Sequence, residues 1–128
     1  MDVATPLAAG DWQAGVAKVK ITPERPMWMS GYASRNHPAE GTAIDLWAKA
    51  IVIEDDEGLR AVLVTLDLVG IDRDFASDVC TALREKYQLE RRQIAFSSSH
   101  THSGPVVGTV LLPMFGFDQP QLQMIADY

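Results

Sequence analysis

The chain has 128 residues, one domain's worth of material, and 47% of them are apolar, enough to build a hydrophobic core. A formal net charge of −6 argues against nucleic acid and against a polybasic membrane anchor, because both need Lys and Arg in excess. No apolar run approaches the roughly 20 residues that span a bilayer, and the one cysteine, Cys80, excludes an internal disulfide.

The start, MDVATPLAAGDWQAG, lacks the basic and apolar regions of a secretory signal. Residues 1–13 read as a flexible N-terminal segment of small and polar residues. GVAKVKITP alternates: Ala17, Val19 and Ile21 share one face, Lys18 and Lys20 the other. This is a half-buried strand, stopped by Pro23. Residues 23–44 hold three prolines and no steady period, so a long loop is expected, with Met27, Trp28 and Met29 as apolar anchors. Long irregular loops in compact domains are often functional. DLWAKAIVIEDDEGLRAVLVTLDLVG predicts a β-hairpin around the acidic turn Glu54–Gly58, with Gly58 free to take a positive φ. The second run, Ala61 to Leu66, is apolar nearly throughout and reads as a strand buried on both faces.

Asp72 is the expected N-cap of a helix, with Asp74 in its first turn. Phe75, Val79, Leu83 and Tyr87 make one apolar stripe at spacing four, and Arg84 and Lys86 suit the C-terminal end of the dipole. Cys80 sits near that stripe as an inert core residue. RQIAFSSS follows as a short strand. Residues 59–98 therefore read strand, helix, strand: a right-handed crossover with parallel strands. The fold class is α/β, a mixed β-sheet in which the hairpin adds an antiparallel member. DQPQLQMIADY begins a helix, with Asp118 or Gln119 as cap. It stops after about two turns, so the chain reads as the N-terminal portion of a larger domain (residues 14–128).

Ligands in open α/β sheets bind where loops leave the carboxyl ends of parallel strands. Asp67 ends the first strand of the crossover; His100 and His102 lie just past the second. One carboxylate and two imidazoles are thus expected at one sheet edge. In extended chain, residues i and i+2 point the same way, so both rings can converge on one centre. Imidazole suits zinc, which keeps an open position for water in catalytic sites. The competing reading is two loop histidines bonded to backbone carbonyls, with Asp67 as a loop-capping carboxylate. His37 reads as an exposed loop residue.

MWMSGYASR, DLWAKAIVIED, VLVTLDLVGID and above all SSSHTHSGP occur in an order that resembles the N-terminal catalytic domain of the neutral/alkaline (non-lysosomal) ceramidases, from about Gly15 to at least Gly108. The resemblance implies a zinc amidase that hydrolyses the N-acyl bond of ceramide to a sphingoid base and a fatty acid. It implies that His100 is a zinc ligand and that His102 lines the active site and stabilises the reacting amide. The family's other ligands, a second His, a Glu and a Tyr, lie downstream, so a C-terminal continuation or a partner chain is expected to complete the site. The family's usual His just before the strand at 46–53 is missing; His37 lies several residues earlier. A secreted or periplasmic location is implied by the resemblance.

Within that mechanism His102 N–H is a preorganised oxyanion donor, an effect worth about 3 kcal/mol. Asp67 is expected to orient an imidazole from behind and fix its tautomer. Tyr32, Ser103 and Gly104 are assigned to contact with a lipid-like amide substrate. Met27, Trp28, Met29 and Tyr32 either line an acyl groove or pack as core beneath the loop. Two other functions compete: a catalytically incomplete scaffold or interaction domain that keeps the motif, and a metal hydrolase of a different small substrate.

Overall fold

Two β-rich runs separated by an acidic turn make the centre of the sheet. The computed structural model describes residues 12–128 and forms these runs into β2 (Trp47–Glu54) and β3 (Arg60–Leu66), paired antiparallel with Ile51 opposite Leu63. The turn closes on Asp55, whose carboxylate accepts from the N–H groups of Glu57 at 3.1 Å and Leu59 at 2.7 Å. Gly58 takes φ +81° there, the left-handed conformation that glycine adopts without steric cost. β1 (Gln13–Lys20) pairs antiparallel with β2 along its whole length. β4 (Ile94–Ser98) pairs with β3 in parallel. The strand order is β1-β2-β3-β4, a mixed sheet of four strands among the described residues. Of the expected flexible segment, residues 1–13, the first eleven lie outside the described residues; β1 begins at Gln13.

The parallel pair is bridged by α1 (Arg73–Tyr87). Its N-cap is Asp72, whose carboxylate accepts from Phe75 N–H at 2.8 Å. Its C-cap, Gln88, takes φ +59° and returns its N–H to the Arg84 carbonyl at 2.9 Å. The helix covers one face of the sheet through Cys80, which packs with Val62, Leu89 and Ile94. Cys80 is therefore a core residue, as its place in the sequence suggested. A second cluster, Leu66, Leu68 and Val107, lies at the carboxyl end of β3, with Ile21, Ala48 and Phe96 against it.

Three burial expectations are corrected. β3 is not buried on both faces: Val62 and Leu66 are buried, but the alternate Leu63 is 41% exposed and Thr65 is also exposed. Helix α1 covers only the Val62 side. β1 is not half-buried, since Val16 on one face and Val19 on the other are 49% and 59% exposed. Among the described residues it is an edge strand with one neighbour. The stripe on α1 is also displaced: Phe75 and Tyr87 are exposed, and the buried face centres on Cys80 with Leu83 beside it. Phe75 lies about 140° around the helix from Cys80 at 3.6 residues per turn, so it faces away from the sheet.

α2 (Gln119–Asp127) starts at Asp118 with a reciprocal capping box: the Asp118 carboxylate accepts from Gln121 N–H, and the Gln121 side chain accepts from Asp118 N–H. The Tyr128 hydroxyl donates to the Ile21 carbonyl, tying this end of the chain to the segment after β1. No helix among the described residues is long and apolar enough to cross a membrane.

Candidate functional site

Parallel pairing fixes where the histidines emerge. β3 and β4 end together, with Leu66 opposite Ser98, and Ser99 N–H continues the ladder to the Leu66 carbonyl at 2.9 Å. Beyond β3 the chain dives into the core: Leu68 and Val69 are only 3% and 5% exposed. The chain beyond β4 turns sharply instead. His100 adopts φ +58°, a left-handed conformation uncommon for a residue with a side chain. This corrects the expectation of an extended His-x-His in which both rings face the same way. The two rings lie edge to face, 5.0 Å between centroids and 66° between planes.

His100 is oriented by backbone. Its Nδ1 is 2.8 Å from the Val69 carbonyl. A carbonyl oxygen only accepts, so Nδ1 carries the hydrogen, and in the neutral ring Nε2 keeps its lone pair. The ring is exposed, and the residue behind it is anchored in the core. An imidazole with one nitrogen pinned to a carbonyl and the other free has the arrangement of a metal ligand.

His102 is held differently. Its Nδ1 is buried and has no hydrogen-bond partner among the described residues. Unpaired acceptors are better tolerated in proteins than orphaned N–H groups. The tautomer that leaves Nδ1 unprotonated is therefore favoured, and it makes Nε2–H a donor. The ring is fixed by packing. Tyr32 approaches it edge to face, with centroids 4.6 Å apart. On Gly31 a Cβ would fall 2.6 Å from His102 Cγ and 2.9 Å from Cε1, so only glycine leaves room for the imidazole. Gly31 at φ +78° and Tyr32 at φ +54° form a tight left-handed turn under the ring.

The loop at residues 23–44 reaches this position by pairing with the chain after the motif. Met29 bridges Pro105, Ser30 N–H donates to the Gly104 carbonyl at 2.9 Å, and Val106 N–H donates to the Trp28 carbonyl at 2.9 Å. Ser30 and Val106 are fully buried at this seam. Gly104 permits close packing, since a Cβ there would sit 3.1 Å from the Asp67 carbonyl oxygen. Arg35 adds a side-chain clamp, Nε to the Gly31 carbonyl at 3.1 Å and Nη2 to the His102 carbonyl at 2.5 Å.

The sequence-selected residues thus divide. Tyr32, His100 and His102 come together at one edge. Asp67 reaches the same end of the sheet, but its carboxylate accepts from Trp47 N–H at 3.0 Å, the loop-capping geometry. The orienting contact expected from Asp67 is made to His100 by the Val69 carbonyl instead. Ser103 and Gly104 border a cavity of about 390 Å³ with Met27, Met29, Ile44 and Leu46. Neither imidazole nor Tyr32 is among that cavity's walls. Trp28 packs against Phe115 and Phe117, at 6.2 and 5.3 Å between centroids. His37 is exposed, with Nδ1 2.8 Å from the Pro38 carbonyl.

The residues that sequence reasoning missed are Gly31, Arg35 and Val69. A Gly-Tyr pair is a visible turn signal, but nothing local links Arg35 to a carbonyl 67 residues away. Among the described residues, no group of three or more His, Cys, Asp or Glu is placed to hold a metal ion. His100 fits one position of a zinc site, and the described residues do not supply the rest.

The described chain matches the family model for neutral/alkaline non-lysosomal ceramidase, N-terminal, over residues 12–127. It is 31% identical over 124 residues to neutral ceramidase of Pseudomonas aeruginosa, covering 91% of this chain and 18% of that protein. Neutral ceramidase 2 of Arabidopsis thaliana is 32% identical over 94 residues, covering 71% of this chain and 12% of the relative. The crystal structure of the Pseudomonas aeruginosa enzyme superposes with a TM-score of 0.73 at 30% identity, over 91% of this chain and 20% of that one. This chain spans less than a fifth of the length of these curated relatives. With a sequence match over nearly all the described residues and a shared arrangement of strands and helices, this chain belongs to the neutral/alkaline non-lysosomal ceramidase family and corresponds to the family's N-terminal region.

Proposed function

We propose that this chain forms the His100–His102 part of the active site of a zinc-dependent amide hydrolase acting on N-acylsphingosine or a close analogue. The observation that carries the reading is the pinned imidazole: His100 Nδ1 is committed to the Val69 carbonyl, which leaves Nε2 free at the sheet edge where ligands of α/β folds bind. When bound, zinc supplies an acidified water and polarises the acyl carbonyl. His100 holds one coordination position through Nε2. His102 presents Nε2–H to the carbonyl oxygen as negative charge develops there. Tyr32 and Gly31 keep that ring in place. Water oxygen adds to the acyl carbon, the carbon–nitrogen bond breaks, and the amine nitrogen takes up a proton. The products are a sphingoid base and a fatty acid. A continuation or partner chain provides the remaining ligands, and a secreted or periplasmic location belongs to the same reading.

The test uses the natural polypeptide that carries this sequence. Zinc content is measured alongside release of fatty acid from an N-acylsphingosine, for wild type and His100→Ala. The expected result is loss of both metal and activity in the variant. Unchanged zinc and unchanged hydrolysis would rule the reading out. The absence of three clustered ligands among the described residues favours a second reading, a non-catalytic domain that retains the motif. Tight one-to-one zinc binding together with turnover of the acyl amide would dismiss it.

A further inference from the structure

We infer that Arg35 is a positioning residue for His102, an inference that rests on the active-site reading above. Among the described residues the imidazole of His102 has no hydrogen bond at Nδ1, so no carboxylate or carbonyl of theirs fixes its orientation through that nitrogen. Its placement depends on the Gly31–Tyr32 turn beneath it and on the direction of its own backbone. Arg35 acts on both. Nε accepts nothing and donates to the Gly31 carbonyl at 3.1 Å; Nη2 donates to the His102 carbonyl at 2.5 Å. The guanidinium also lies over the Tyr32 ring, 5.3 Å from its centroid, and Tyr32 packs edge-on against His102. One planar cation therefore ties together the three elements that surround the imidazole.

Among the described residues this is the only side-chain hydrogen bond from the loop at residues 23–44 to the His100–Ser103 segment. Fixing the His102 carbonyl fixes the peptide plane that follows it and so the direction in which the side chain leaves the backbone. Lysine cannot replace this geometry, because a single ammonium lacks the rigid fork that reaches two carbonyls at once. Arg35 is half-buried, and its contacts bypass His100 and the Val69 carbonyl. Its effect is therefore on His102 and leaves metal affinity alone.

The experiment compares wild type, Arg35→Met and Arg35→Lys in the natural polypeptide. It reads kcat and KM on an N-acylsphingosine, zinc content, and the ring signals of His102 by long-range nitrogen–proton NMR. Arg35→Met is expected to lower kcat by about 10- to 100-fold, as displacement of a catalytic group by about 1 Å does. KM is expected to stay within about threefold and zinc to stay at the wild-type level, while the His102 ring signals shift or broaden. Arg35→Lys is expected to restore less than half of the lost kcat. Wild-type kcat in Arg35→Met, or loss of zinc in step with activity, would overturn the inference. If Arg35→Met does not fold, Arg35→Lys decides: reduced kcat with normal zinc supports the role, and wild-type kcat refutes it. If wild type hydrolyses no acyl amide, the functional reading fails on its own, and the NMR comparison decides the positioning role, with unchanged His102 signals counting against it.

Discussion

Removing the Asp72 carboxylate tests how the site end of the molecule is held together. Asp72 caps α1 through Phe75 N–H at 2.8 Å, and its second oxygen accepts from Thr109 N–H at 2.7 Å and Thr109 hydroxyl at 2.8 Å. One carboxylate thus joins the start of the crossover helix to the turn that follows the histidine motif. Gly108 packs beside it, where a Cβ would lie 3.0 Å from Asp72 Cγ. Losing an N-cap costs about 1 kcal/mol, and each Thr109 bond contributes about 1 kcal/mol net. Water reaches this surface site and replaces part of what is lost, so Asp72→Ala is expected to cost about 2 kcal/mol. Asp72→Asn keeps the capping oxygen but puts an NH₂ where Thr109 needs an acceptor, so about half of that loss is expected.

The pH dependence gives the sharper check. The Phe75 N–H bond first, then the Thr109 N–H and hydroxyl, hold the Asp72 carboxyl below its ordinary value of 3.8. A depressed folded-state value means that the stabilisation is complete above the unfolded value and is lost as pH falls through the folded one. Urea denaturation at pH 7 and at pH 3 should therefore show the gap between wild type and Asp72→Ala narrowing at the lower pH. The same gap at both values, or equal losses for Asn and Ala at pH 7, would refute the account.

Gly31→Ala is expected to lower stability by about 1–3 kcal/mol in a thermal melt, because the residue must hold a positive φ and its new methyl meets the His102 ring. Hydrolysis of an N-acylsphingosine should fall further than that loss of stability explains, and unchanged turnover would contradict the packing role given to Gly31. Burial raises the Tyr128 phenol above its ordinary value of 10.0, so a phenolate absorbance step later than pH 10 is expected that Tyr128→Phe removes. Because a raised folded-state value means stability is lost as pH climbs past the unfolded one, the Phe variant should also be less sensitive to alkaline unfolding.

The elements that could be read from sequence are those set by neighbours in the chain. The hairpin needed only two β-rich runs and Gly58; the helix start needed only Asp72; the parallel crossover followed from strand, helix, strand. Burial was harder to read because it depends on what covers each face. Val16, Ile53 and Leu63 have the composition of core strand residues, yet α1 packs on the other side of the sheet. At the site, His100 and His102 were findable because parallel pairing brings both strand ends to one edge. Their individual geometries were not findable. The Val69 carbonyl behind His100 and the Arg35 clamp on His102 are contacts across 31 and 67 residues, and no local pattern encodes them or the left-handed turn at His100.

Two imidazoles one residue apart are thus held by independent means, and this separates two kinds of damage. His100 depends on the chain after β3, which is buried in the core, and on a backbone carbonyl that no side-chain substitution deletes. His102 depends on a loop without regular structure, held by a glycine, a tyrosine and an arginine. On the proposed function, substitutions in that loop should therefore impair turnover while zinc stays bound, whereas substitution of His100 should remove both. Joint loss of metal and turnover in Gly31→Ala would show the two rings to be one mechanical unit and would remove the basis for assigning them different supports.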